Sequence, residues 1–119
     1  MKPKYFRLAQ RLSRKSPSRF KLGCVIVSAR VISTGVNNME KTDPKHKTFG
    51  NFKHAELDAL VGLSYEETKG GAAYIYRETA NGELANARPC PICYGALRLA
   101  GIRYLCYSNQ NGFQKESIK

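Results

Sequence analysis

Two short stretches of this chain carry side chains that bind metals and move protons. His54-Ala55-Glu56 supplies an imidazole and a carboxylate, and Pro89-Cys90-Pro91-Ile92-Cys93 supplies two thiols. Nitrogen and sulfur donors suit zinc, whose structural sites are closed by four protein ligands and whose catalytic sites keep three and leave the fourth position to water. His54, Cys90 and Cys93 make three. Glu56, two residues beyond the histidine, stands where a carboxylate can handle protons at a metal without ligating it. H-x-E alone is common by chance, and so is a lone C-x-x-C. Their joint occurrence in this order, each opening a predicted helix after a predicted strand, is specific. A structural zinc site would need a fourth ligand from Cys24, Cys106 or His46. The two cysteines fall inside predicted strands and read as small apolar core residues, and the histidine lies in a loop.

H-A-E followed by P-C-x-x-C, across roughly residues 20–107, resembles the zinc signature of the cytidine/deoxycytidylate deaminase superfamily. The resemblance implies zinc as cofactor, with His54, Cys90 and Cys93 as ligands and Glu56 as the proton carrier in hydrolytic deamination of a nucleobase. It also implies an α/β fold, a three-layer α/β/α sandwich with a mixed sheet of four or five strands and about three helices. In relatives an asparagine at the end of the second strand bonds the substrate's sugar. Asn37 matches that place best and Asn38 next, the alternative being a turn-forming pair. Backbone groups around Ala55 and the Pro89-Cys90 step are the implied holders of the base edge. Relatives often oligomerise, which makes a homo-oligomer the candidate assembly.

The chain departs from the commoner family pattern in three places. Residues 77–88 intervene between a strand and the P-C pair, Arg88 stands where many relatives carry glutamate, and only a short tail follows residue 107. The metal geometry does not depend on these changes, but the choice of substrate does. The leading reading is conversion of cytosine to uracil in a cytidine-type nucleotide or a single-stranded nucleic acid. An adenine or other purine deaminase of the same superfamily is the first alternative. A catalytically silent, zinc-stabilised nucleic-acid-binding module is the second, and the intact Glu56 argues against it.

The elements that must position these residues follow from periodicity. Tyr5, Leu8, Ala9 and Leu12 form the apolar stripe of a helix over residues 4–15, with Arg7, Arg11 and Arg14 on its other side. Apolar, β-branched runs at 22–28 and 31–36 flank Ala29-Arg30 and read as an antiparallel hairpin. Residues 39–53 show no periodicity and form a loop leading into His54, from which His46 and Phe49 are candidates to stack on or gate a base. A helix opens at His54 with Leu57, Leu60 and Val61 as its apolar set, and Asp58 is expected to face solvent. A polar connection over 64–71 precedes a buried strand at 72–76, parallel to the first strand if the helix is a crossover. Asn81-Gly82 marks a tight turn within 77–88. A helix over 90–100 is expected to bury Ile92, Ala96 and Leu99, with Gly101 ending it and a strand at 102–107 following.

Size and charge bound the function class. A chain of 119 residues with 42% apolar content is read as one domain over residues 1–119. No run approaches the roughly 18 apolar residues of a membrane span, and the basic N-terminus lacks the apolar core of a signal peptide. Thiols in a metal-type pattern belong in a reducing compartment, which places the chain in a cytoplasm, the cell's own or an infected host's. The net charge is +11, and residues 1–39 hold nine basic residues and no acid. Such asymmetry favours polyanionic partners, a nucleotide or a single strand, because each neutralised phosphate releases counterions.

Overall fold

The computed structural model describes residues 2–16, 21–37 and 54–118. Its order is α1 (Pro3–Ser13), β1 (Lys21–Val27), β2 (Ile32–Val36), α2 (Ala55–Leu60), α3 (Tyr65–Thr68), β3 (Ala72–Glu78), α4 (Pro91–Leu99), β4 (Tyr104–Asn109) and β5 (Gly112–Ser117). The strands form one mixed five-stranded sheet in the order β2-β1-β3-β4-β5. Its central strands are buried on both faces, so they read as continuous apolar runs. On one face Phe6 and Ala9 of α1 pack on Val25, Tyr74, Tyr76 and Cys106. On the other, Ala55 and Ala59 of α2 and Leu97 of α4 pack on Cys24, Ile26, Ala73, Ile75 and Leu105. Three layers result, as the family resemblance implies, with the short α3 added to the three expected helices.

β1 and β2 form the expected antiparallel hairpin, closed by the Ser28 N–H on the Val31 carbonyl at 2.9 Å. β3 is antiparallel to β1, with Gly23 opposite Tyr76, and not parallel to it. The crossover rule still holds, but it relates β3 to β2, which runs antiparallel on the other side of β1. β2 and β3 therefore point the same way, and their following segments leave from the same end of the sheet. The parallel pair at the centre is β3 with β4.

Close approach of helix and sheet depends on two glycines. A Cβ on Gly23 would lie 2.2 Å from the Ala9 carbonyl oxygen, and one on Gly35 would lie 2.3 Å from that of Ala55. Both obstacles are backbone, which cannot swing aside. Gly35→Ala is expected to push α2 off β2, costing about 2–3 kcal/mol in a denaturant melt. Because α2 begins at His54, the substitution should also weaken zinc retention, measured by metal content after dialysis.

Several faces differ from the periodicity reading. α1 buries Phe6, Ala9 and Ser13, with Tyr5, Leu8 and Leu12 at the margin of the contact. Val61 is exposed because α2 ends at Leu60. In α4 the buried residues are Cys93 and Leu97, while Ile92 and Leu99 face outward. Cys93 is turned inward at the helix start, and its neighbour one turn on is then Leu97. Within 64–71, Ser64 and Glu67 form a capping box that starts α3.

The 77–88 excursion is a small hairpin. Leu84 bridges Glu78, the Thr79 N–H donates to the Glu83 carbonyl at 2.8 Å, and Gly82 takes a positive φ of 83° at the turn. Ser108 at the end of β4 then pins the return: its hydroxyl donates to the Ala85 carbonyl at 3.0 Å and its carbonyl accepts from the Ala87 N–H at 2.8 Å. The tail provides the fifth strand, β5, antiparallel to β4.

Candidate active site

Two helix starts build the site. His54 is the N-cap of α2 in extended conformation, and its carbonyl accepts the first helical bond from the Asp58 N–H at 2.9 Å. Cys90 is the N-cap of α4, with Pro91 at the first helical position and the Tyr94 N–H on the Cys90 carbonyl at 2.8 Å. Proline there gives up only an N–H that a helix start leaves unbonded. Since β2 and β3 point the same way, the segments that carry these caps meet at one end of the sheet. One ligand atom from each of His54, Cys90 and Cys93 lies within 4.8 Å of the other two. Ligands on a tetrahedral zinc stand roughly 3.5–3.8 Å apart, so little adjustment is needed.

The donor chemistry fits a dication. Cys93 is fully buried and Glu56, at the second position of α2, is 4% exposed. Burial pushes the Cys93 thiol up, and the Glu56 carboxylate and Cys90 sulfur beside it push it the same way. A thiolate in this company needs a compensating positive charge, which zinc bound by His54, Cys90 and Cys93 would provide. Neither alternative cysteine joins the group: Cys24 packs in the α2/α4 layer and Cys106 in the α1 layer. Burial, with the Glu56 and Asp58 carboxylates adding to it, also raises the Cys24 thiol well above its ordinary value, in keeping with an inert core residue.

The remaining candidates are placed as follows. Ala55 and Pro89 are buried, next in sequence to His54 and Cys90. Asn37, one residue past β2, is 3% exposed. Its Oδ1 accepts from the Leu22 N–H at 2.9 Å and from the Ser16 hydroxyl at 2.8 Å. A backbone N–H can only donate, so the orientation of the Asn37 amide is fixed. His46, Phe49 and Asn38 lie outside the described residues.

Four positioning contacts escape a reading by local pattern. Asp58 does not simply face solvent: its Oδ2 accepts from the Val36 N–H at 3.1 Å and ties α2 to the end of β2. Arg88, next to the P-C pair, donates from Nε to Glu116 of β5 at 3.0 Å and from a terminal nitrogen to the other carboxylate oxygen at 3.3 Å. The Arg88 guanidinium also lies 5.5 Å from the centre of the Tyr94 ring, and the Tyr107 hydroxyl donates to Glu116. The loop that delivers Cys90 is thereby braced against α4, β4 and β5. Arg88 and Tyr107 hold the Glu116 carboxyl below its ordinary range. The brace therefore stabilises above the unfolded-chain pKa and is lost as pH falls through the lowered one. Glu116→Gln should cost about 0.5–1 kcal/mol at neutral pH, and the gap to the parent should close in thermal melts as pH falls below the ordinary carboxylate range.

Comparison with known proteins agrees with this layout. A cytidine deaminase from Burkholderia pseudomallei superposes with a TM-score of 0.72 at 20% identity, over 99% of this chain and 93% of that one. A dCMP deaminase from the cyanophage S-TIM5, solved with dCMP and dUMP, gives 0.62 at 25% identity over 90% and 82%. A cytidine deaminase from Mycobacterium leprae gives 0.59 at 24% identity over 95% and 91%. No curated protein sequence matches significantly. The profile of the cytidine and deoxycytidylate deaminase zinc-binding region matches residues 1–109. That span takes in both motifs and every strand but β5, and by it the chain belongs to the cytidine and deoxycytidylate deaminase family.

Proposed function

We propose that this single domain is a zinc-dependent hydrolytic deaminase that converts cytosine to uracil in a cytidine-type nucleotide or a single strand. The observation that carries the reading is the buried Glu56 carboxylate beside three convergent zinc-type donors. The family match and the cyanophage neighbour solved with dCMP support a nucleotide substrate, and the acid-free basic segment over residues 1–39 supports a polyanion. The chain works in a reducing cytoplasm, where its thiols remain available to metal, and pairing between copies is compatible with its exposed edge strands.

His54, Cys90 and Cys93 would hold the zinc, which when bound would lower the pKa of a water to near neutrality and so supply a nucleophile. Glu56 takes a proton from the attacking water and delivers it to the ring nitrogen, then carries a second to the departing amino group. The C4–N bond breaks, a C4–O bond forms, and ammonia leaves. Asn37 holds the sugar, the backbone at Ala55 and Pro89 holds the base edge, and His46 and Phe49 stack on the base.

The test follows products by mass spectrometry for cytidine, dCMP, adenosine and single-stranded DNA and RNA, with Glu56→Ala as control. A Glu56-dependent gain of about one mass unit on a cytosine substrate is the expected result. Turnover of adenosine alone would move the assignment to purines. No turnover with zinc at one per chain would sink it in favour of a binding module.

A further inference from the structure

The face of the sheet opposite α2 and α4 carries an open groove of about 560 Å³ between α1, β5 and the 77–88 hairpin. Phe6, Arg7, Gln10, Tyr76, Leu84 and Phe113 line it. The volume is that of a small-molecule pocket, and the lining is aromatic with a few polar groups, the usual make-up of a ligand site. Phe113 of the edge strand remains 43% exposed although its ring centre lies 4.2 Å from that of Phe6. At the polar end the Gln10 amide donates to the Tyr76 hydroxyl at 3.1 Å, and Tyr76 donates to Glu78 at 3.2 Å.

Arg7 lines the groove, and from it a cationic stripe continues along the helix beside the groove. Lys4, Arg7, Arg11 and Arg14 repeat at helical spacing on α1, and all are exposed. Glu78 occupies Arg14 at 3.0 Å. Arg7 and Arg11 have no acidic partner among the described residues, and the sequence provides no acid before residue 40. Flat apolar rings beside a line of uncompensated guanidinium groups match a ligand with flat apolar rings beside a line of phosphates. A second copy docked through the same face is disfavoured on charge, since it would set one basic helix against another.

We propose that this groove is a second nucleic-acid contact, in which a base of a single strand stacks on Phe113 while the flanking phosphates meet Arg7 and Arg11. It lies on the α1 face, away from the helix starts that carry His54, Cys90 and Cys93, so it anchors a strand and performs no chemistry. The inference goes beyond the deaminase reading and does not depend on it, because its readout is binding.

Fluorescence anisotropy with labelled oligothymidylate and oligouridylate, titrated over a range of salt, tests it. Arg7→Ala/Arg11→Ala should lower the slope of log affinity against log salt by about 1.4, roughly 0.7 per lost phosphate contact on a single strand. Phe113→Ala should weaken binding about tenfold at unchanged slope, and Phe113→Tyr should restore it. Thermal melts confirm that each variant is folded, and turnover of free nucleotide should match the parent's. A salt slope unchanged in the double variant, or affinity unchanged in Phe113→Ala, overturns the proposal. So does Phe113-dependent binding of a glutamate-rich, phenylalanine-containing peptide when oligonucleotide binding shows no such dependence, which would assign the groove to an acidic protein segment. Loss of nucleotide turnover in Glu56→Ala with oligonucleotide binding intact supports the separation of the two sites.

Discussion

Glu56→Ala is expected to lower turnover about 10³-fold while zinc content stays at one per chain, because positioned proton transfer contributes roughly 10²–10⁴. The carboxylate is 4% exposed and sits beside Cys93, at the second position of α2. Its backbone is held by the first turn of the helix, so the carboxylate is placed for repeated proton transfer without searching. Removing it also removes a negative neighbour that pushes the Cys93 thiol up, so metal binding should not weaken. Glu56→Gln separates shape from chemistry: it fills the same space and should be as inactive as the alanine. Retained turnover in either variant, measured under saturating substrate, would show that another group carries the protons.

Cys93→Ser should have the largest effect on both zinc and stability. Cys93 is fully buried, stands one helical turn before the buried Leu97 of α4, and is one of the three proposed ligands. Zinc present at about a thousandfold above its Kd stabilises the folded state by about 4 kcal/mol, and in a domain of this size that corresponds to a thermal midpoint lower by about 15 °C when it is lost. Metal analysis should fall from one zinc per chain to near zero, and treatment of the parent with a chelator should reproduce the melt. The pH dependence has a definite sign. The Cys93 thiol is raised in the metal-free site, so at neutral pH it is protonated and zinc must displace that proton. Apparent zinc affinity should therefore rise with pH, by about tenfold per unit for each proton released, in a competition titration with a chromophoric chelator. A flat profile would mean that Cys93 does not ligate.

The brace at Arg88 shows why position in the sequence misleads about position in space. Beside the P-C pair, an arginine where many relatives carry glutamate looks like a change of substrate contact. In the fold it pairs with Glu116 and lies over Tyr94, so its visible partners are structural. Glu116 is 28 residues away, on the short strand that the tail after residue 107 leaves room for.

By itself the sequence determined what short-range rules govern. The H-x-E and C-x-x-C spacings place their residues two and three apart at helix starts, the hairpin at Ala29-Arg30 and the turn at Asn81-Gly82 follow from periodicity and turn chemistry, and the layered α/β class follows from the family resemblance those motifs carry. Tertiary structure decided whatever depends on which surface covers which. The pairing of β3 with β1 is antiparallel because α2 carries the chain past β1, a choice that no strand's own residues encode. α4 buries Cys93 and Leu97 and leaves Ile92 and Leu99 outside, although all but the cysteine look equally apolar in one dimension. Which side of a helix meets the sheet is set by the surface it packs on, here with Cys93 turned inward at the helix start. Asp58 on Val36 and Gly35 against Ala55 belong to the same class, since each fixes α2 to β2 through a contact made only once the layers have closed.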